Sequence, residues 1–316
     1  MADEQSGGPS RRRFLHGAAA GLGMAALAGG RGAEAAPAEP AMPSIQVGTH
    51  RVSRLVCGSN PMLGYSHVSR LMSRVMTDWY TPERIVSVVR RCWEVGVNTW
   101  QTSASEKVDQ ALATLRGDGV PIQWVFLANR AHFDPRKLKE IVRRNQPIAV
   151  VHHGGVSDSL WRAGKIERAH DFAKRVQDLG IPAGLSAHNP DVIRHAEDKG
   201  WDLDLYMTCF YRVTRTQAEL KAEMGMAEVP LGETYLPGDP GRMCEVVRQV
   251  ERPCLGFKIL AAGRRCGNPR QVEGAFRFAF GHLKATDGVI VGMFPRFRDQ
   301  AQENAALARR FGGAKG

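Results

Sequence analysis

Short apolar runs rich in β-branched residues alternate along most of the chain with longer stretches in which apolar positions recur every three or four residues. The short runs lie at 55–57, 98–102, 124–128, 148–152, 183–186, 203–208, 254–259 and 288–292. Each reads as a buried strand. The longer stretches read as amphipathic helices. One starts at Thr81-Pro82, an N-cap followed by proline in the first turn, and carries Ile85, Val88, Val89 and Cys92 on one face. Others run over 135–144, 165–179 and 190–199, the last two stopping at Gly180 and Gly200. Further helices are expected over 242–250, 271–283 and 299–311. Residues 45–47 and 51–52 around Gly48-Thr49-His50 predict a hairpin ahead of the first strand. Regular strand–helix alternation with short links makes a parallel sheet. Eight units in about 280 residues suit a closed (β/α)8 TIM barrel, of the α/β class, better than an open sheet. No Gly-x-Gly-x-x-Gly follows the first strand, so the main sign of a Rossmann fold is missing.

The ends of the chain change this picture only at the front. Ser10-Arg11-Arg12-Arg13-Phe14-Leu15 resembles a twin-arginine (Tat) export signal. It is followed by a weakly apolar Ala/Gly-rich stretch over 17–30 and a small-x-small cleavage site at Ala33-Glu34-Ala35. The expected organisation is a Tat signal peptide over 1–35, an Ala/Pro/Glu-rich linker over 36–43 and one barrel over 44–313. The expected destination is the periplasm or another extracytoplasmic space, with no membrane anchor once the signal is removed. No apolar run reaches the roughly 18 residues of a membrane span.

The 316 residues are 43% hydrophobic and 24% charged, an ordinary globular composition, and carry a net charge of +11. Removing 1–35 takes away Arg11, Arg12, Arg13 and Arg31 against Asp3, Glu4 and Glu34, so nearly all of this charge belongs to the barrel. The charge favours anionic ligands. The basic residues are scattered, so nucleic acid is not expected as a partner. The six cysteines form no Cys-x-x-Cys pair and read as small core residues.

In a TIM barrel the chemistry sits at the C-terminal strand ends. Those ends supply Asn60, Gln101, Ser103, Asn129, Arg130, His152, His153, Ser186, His188, Asn189, Cys209, Tyr211 and Lys258. His152 ends an apolar run and is a candidate catalytic group, with a satisfied core histidine as the alternative. His188 is a second candidate, unless it serves only to lead Asn189 into a helix cap. No metal site is expected, because no His-x-His or Glu-anchored pair joins His152, His188 and Cys209. Lys258 suits Schiff-base chemistry or, more commonly, pairing with a carboxylate or phosphate. The long loop after the first strand holds Tyr65, Ser66 and His67. That loop and the connection over 212–239 are candidate lids. Arg264, Arg265, Arg296 and Arg298 fall in the last two loops, where barrels often bind phosphate at a helix N-terminus.

Taken in order along the chain, several segments resemble the aldo-keto reductase superfamily. They are the hairpin with Val52-Ser53-Arg54-Leu55, then Gly96 to Trp100, Gly184 to Asn189, and Gly292-Met293 through Gln302-Glu303-Asn304. The resemblance implies NADP as cofactor and a carbonyl or sugar-like small-molecule substrate. It implies cofactor contacts at Ser186, His188, Arg264, Gly292, Met293, Arg296, Arg298 and Asn304. It also implies a catalytic Asp, Tyr, Lys and His. Here Gln101 stands at the Asp position and Arg130 at the Lys position, no Tyr lies within 102–106, and only His152 matches. Ala187 and Met207 replace the usual nicotinamide-amide contacts. Gln101 cannot ionise and Arg130 cannot exchange a proton near neutral pH, so the family's proton relay is absent. Tyr65 or Tyr211 would have to act as the acid beside Arg130. The expected function is an exported oxidoreductase with a degenerate tetrad. The alternatives are a lyase, isomerase or hydrolase working through His152, His188 and Lys258 without nicotinamide, or a non-catalytic binding barrel.

Overall fold

The computed structural model describes residues 40–313. The export signal expected over 1–35 lies outside the described residues. Strands β1 (Ser44–Val47) and β2 (His50–Ser53) form an antiparallel hairpin. Eight parallel strands then close a barrel. They are β3 (Leu55–Gly58), β4 (Thr99–Thr102), β5 (Gln123–Ala128), β6 (Ala149–His152), β7 (Ala183–Ala187), β8 (Leu205–Cys209), β9 (Cys254–Phe257) and β10 (Gly288–Gly292). β10 pairs with β3 to complete the ring, with Ile290 opposite Val56. The expected (β/α)8 architecture is what the chain adopts, each strand falling on one of the predicted runs.

The helices are α1 (Arg70–Trp79), α2 (Pro82–Glu94), α3 (Glu106–Gly117), α4 (Pro135–Asn145), α5 (Gly154–Arg162), α6 (Glu167–Gln177), α7 (Pro190–Asp198), α8 (Gln217–Met224), α9 (Asp239–Gln249), α10 (Pro269–His282) and α11 (Gln300–Gly312). Helix α2 starts as its sequence predicts, with Thr81 accepting from the Arg84 amide. Helices α1, α3 and α5 were not expected, and α5 opens on Gly154-Gly155, the residues least favourable to a helix after proline. Helix α1 lies inside the first candidate lid and is capped by Ser69. None of the described helices is long and apolar enough to cross a membrane.

Strand side chains alternate between two buried layers. Val56, Val125, Ala149, Val151, Leu205, Met207, Leu255 and Ile290 fill the barrel interior, and Ile45, Val47 and Val52 of the hairpin join them as its floor. Leu55, Cys57, Trp100, Trp124, Phe126, Val150, Leu185 and Tyr206 pack outward beneath the helices. Five of the six cysteines are buried, and Cys266 is exposed. At the base, the Arg54 guanidinium donates to three carbonyls, those of Asp287 (2.7 Å), Gly312 (2.6 Å) and Lys284 (2.8 Å). It thereby ties the first barrel strand to the last helix. Strand β9 stops at Phe257, short of the predicted 259, because Lys258 turns into the left-handed region with φ of 59°.

Candidate active site

Above the ends of β3, β4, β9 and β10 lies a slot of about 600 Å³. Its wall includes Asn60, His67, Gln101, Phe257, Lys258 and Gly292. At its centre two loops meet. His67, in the loop after β3, has φ of 56°, and Lys258, just past β9, has φ of 59°. A left-handed residue other than glycine costs of order 1–3 kcal/mol and persists where its surroundings fix it.

The Lys258 Nζ lies 3.4 Å from Nδ1 and 3.3 Å from Nε2 of His67. Near-equal distances to both ring nitrogens put the amine over the imidazole face, not in its plane. The His67 hydrogen bonds assign its tautomer. The Asn60 Nδ2 amide donates to Nε2 at 3.0 Å, so Nδ1 carries the hydrogen and donates to Glu233 Oε1 at 2.8 Å. The Tyr235 hydroxyl donates to Glu233 Oε2 at 2.7 Å. Lys258 completes an ion pair with the same oxygen at 3.9 Å. Burial alone would raise the Glu233 pKa. The hydrogen bond from His67, the Lys258 charge and the bond from Tyr235 outweigh it and hold the carboxyl down to about 2. Tyr235 is pushed up, first by burial and then by its bond to Glu233, and so stays a hydrogen-bond donor.

Glu233 and Tyr235 ride on the long connection after β8, the second candidate lid. A buried clamp anchors it. Arg215 grips Asp239 with two bonds, of 2.9 and 2.6 Å, and Glu223 with two more, of 2.6 and 3.3 Å. The bidentate fork fixes direction as well as distance. Arg264 donates to the His67 carbonyl at 3.1 Å and lies 3.9 Å over the Tyr235 ring, joining the three loops.

A second polar group sits beyond Phe257, whose ring meets the His188 ring edge-on at 5.4 Å. His188 Nδ1 pairs with buried Asp158 at 2.8 Å. Asp158 also accepts from the backbone amides of His188 and Asn189 and from the Thr214 hydroxyl at 3.0 Å. His153 caps α5 by accepting from the Gly155 amide at 3.2 Å. Burial, then the nearby His188, lowers its pKa to about 4. Burial pushes the Cys209 thiol up to about 12, so it is no thiolate nucleophile.

Of the predicted site residues, Tyr65, Gln101, Lys258 and Gly292 line the slot together. Tyr65 is 61% exposed there. Tyr211 is buried off the slot wall, its hydroxyl accepting from Arg265 Nε at 3.1 Å. His152 is a correction. Ala149 and Val151 face the barrel interior, so the alternation turns His152 outward, away from His188 and Cys209. Its ring stacks on Phe133 at 4.8 Å, and burial, followed by His153 and Arg175, lowers its pKa to about 3. Arg130 lies in a 3-10 turn (Arg130–His132) and borders the same outer cavity as His152. The two residues matched to catalysis thus meet each other, but outside the mouth.

The expected cofactor contacts scatter. Ser186 is buried on β7 and Asn304 on α11. Met293 packs into the strand–helix layer, with Sδ 3.6 Å from Cys92 Sγ. Arg298 pairs with Glu303 at 2.8 Å, Arg264 holds His67, Arg265 holds Tyr211, and Arg296 lies exposed 5.5 Å from the Phe297 ring centroid. The N-terminus of α11 is capped by Asp299, which accepts from the Gln302 amide at 3.1 Å and pairs with Arg91 at 2.9 Å. A carboxylate therefore stands where the helix would receive a phosphate. These residues do not fit a dinucleotide's phosphates.

Sequence reasoning did not single out Glu233, Tyr235, His153 or Asp158, and named His67 only as part of a loop. The inward parity of Val151 was a usable signal for His153. Nothing local marks Glu233 or Asp158, whose partners lie far along the chain.

No family model matches this chain, and no curated protein matches it. Solved structures do. The glycerol dehydrogenase AKR11B4 from Gluconobacter oxydans is similar over 86% of this chain and 91% of that one, at 10% identity and a TM-score of 0.50. Gox0644 in its apo form is similar over 87% and 95%, at 12% identity and a TM-score of 0.51. A truncated 3-deoxy-D-arabino-heptulosonate 7-phosphate synthase from Thermotoga maritima covers 85% and 91%, at 13% identity and a TM-score of 0.48. At these identities the likeness shows the barrel and nothing finer.

Proposed function

We propose that this chain is an enzyme that moves a proton next to the carbonyl of a small sugar-like molecule, chemistry of the isomerase or lyase kind. The observation that carries the reading is the meeting of left-handed His67 and Lys258 over ionised Glu233 inside the slot. Strained residues from separate loops converging on one cavity mark a working site better than any single polar group.

Each group has a role that its geometry suits. Glu233 orients the His67 ring and balances the imidazolium that forms when His67 takes a proton. Nε2 is the atom that works, once a substrate displaces the Asn60 amide. The Lys258 ammonium, above the ring, stabilises the oxyanion that develops on the substrate carbonyl. Held against a carboxylate, it serves as a charge and not as a Schiff-base nucleophile. Gln101 on the wall offers a neutral amide to a sugar hydroxyl. With 1–35 read as an export signal, this chemistry belongs outside the cytoplasm.

The contrary reading is a nicotinamide-dependent reductase. A variant of Gox0644 is described in complex with NADPH, and it shares this barrel at 12% identity. One experiment separates the two. The protein is incubated in D2O with a panel of aldoses, ketoses and keto-sugars, and deuterium uptake beside the carbonyl is followed by NMR. NADPH absorbance is read in parallel. Exchange that Lys258→Met and His67→Gln abolish supports the proposal. NADPH consumption without exchange would overturn it in favour of the reductase.

A further inference from the structure

A second cavity, of about 520 Å³, opens on the other side of β6. It is separate from the slot, since Val151 faces the barrel interior and His152 the helices. Its apolar wall is Phe133, Val156 and Leu160. Its rim carries Arg130, Arg168 and Arg175 against a single acid, Asp171. Arg168, Asp171 and Arg175 follow one another on α6 at helical spacing, so they share one face. Among the described residues, none of these three arginines has a carboxylate partner, and all three are exposed on the rim.

The floor holds an unmet polar atom. Ser157 Oγ donates to the His153 carbonyl at 3.2 Å, so it accepts from His152 Nδ1 at 2.8 Å. That leaves His152 Nε2 a bare acceptor. It is fully buried and has no hydrogen-bond partner. A buried acceptor without a donor costs about 1–3 kcal/mol, which a hydroxyl or N–H arriving from outside recovers. Phe133 and Phe172 hold the ring in place, 4.8 and 5.5 Å away.

We infer that this outer cavity is a binding site for a small hydroxylated organic anion, a sugar acid or a sugar phosphate. The oxyanion meets the arginine forks, a hydroxyl donates to His152 Nε2, and the carbon skeleton lies against Phe133, Val156 and Leu160. Two or three unpaired guanidinium groups suit a carboxylate or phosphate, which they hold in a bidentate manner. A neutral imidazole at the floor selects for a donor and against a bare hydrocarbon. The volume is within the range of small-molecule sites. The site does not depend on the reaction proposed for the barrel mouth.

The test is titration calorimetry of the full chain with gluconate, glucose 6-phosphate, glucose and hexanoate. The anionic sugars should bind at least about tenfold more tightly than glucose. Comparing gluconate with glucose 6-phosphate tells which oxyanion the site takes. The Arg168→Gln/Arg175→Gln double variant, both positions exposed, should weaken anion binding by about tenfold or more. His152→Phe keeps the packing and should shrink the preference for gluconate over hexanoate. Lys258→Met should leave binding unchanged. Failure of both anionic sugars to bind overturns the inference, leaving water as the occupant. Binding lost in Lys258→Met but kept in the double arginine variant overturns it too, since the ligand then sits in the mouth.

Discussion

His152→Phe makes the energetics of the outer layer measurable. The His152 ring is 1% exposed and its pKa is lowered to about 3, chiefly by burial, from an ordinary 6.5. The folded state therefore binds fewer protons than the unfolded state between those values. Stability is then fully present above about pH 6.5 and is lost as the pH falls toward 3. Going from pH 8 to pH 5, the unfolded histidine becomes almost fully protonated and the folded one stays neutral. The linkage integral gives a loss of about 2 kcal/mol from this one residue. The figure is robust, because any folded pKa below about 4.5 changes it by no more than about 0.2 kcal/mol. Urea unfolding of wild type and His152→Phe at both pH values isolates the contribution, since all other groups titrate in both proteins. The gap between the two proteins should shift by about 2 kcal/mol in the variant's favour at pH 5. Parallel pH profiles would refute the reasoning and would mean that His152 is protonated in the fold.

The remaining expectations concern the mouth. Glu233→Gln keeps the shape of the site but removes the charge that balances His67, so proton exchange should fall at least about tenfold while the thermal midpoint moves little. Deuterium-exchange NMR and calorimetry check the two halves of that statement. Arg215→Met takes the bidentate partner from buried Asp239 and leaves it only the Arg212 amide and the longer approach of Arg242 at 3.9 Å, which costs up to about 3–5 kcal/mol, much of it spent by loosening 212–239. Amide exchange in that segment should quicken while that of β5 and β6 is unchanged. Gly154→Ala places a Cβ 2.9 Å from Ser186 Oγ and 3.2 Å from His188 Cε1. It should tilt His188 off Asp158 and cost about 1–3 kcal/mol, read by thermal unfolding and by the His188 imidazole shifts.

The barrel was legible in the sequence because its signal is local and repeated. Each strand is a short apolar run, often β-branched, and most of the following helices carry their own cap or stop, as with Thr81 ahead of α2. Where the structure departs, a local rule lost to a longer-range one. Helix α5 forms on two glycines because His153 caps it and its Asp158 is needed by His188 and Asn189. Strand β9 ends early because Lys258 adopts a backbone that only the opposing loop makes worthwhile. No propensity scale carries that information, since the cost is local and the return comes from His67, far along the chain.

The candidate site was legible in kind but not in its membership, and two residues show why. His152 and His153 are adjacent, both histidine and both at a strand end. Only the phase of the alternation tells them apart, and an unbroken apolar run such as Ile148 to Val151 hides that phase because both faces of the strand are buried. The arginines fail for a different reason. Arg264, Arg265 and Arg298 fall in the loops where an anion is often bound, yet each already meets a carbonyl, a phenol or a carboxylate supplied by a distant segment. A sequence displays charge but not its partner. Arg130, Arg168 and Arg175, in the layer outside the barrel, are among the cations of the described residues that lack an acid, and they border one cavity. An anion drawn by the positive charge of this chain would find free guanidinium groups at the outer cavity, and a carboxylate, Asp299, at the N-terminus of α11.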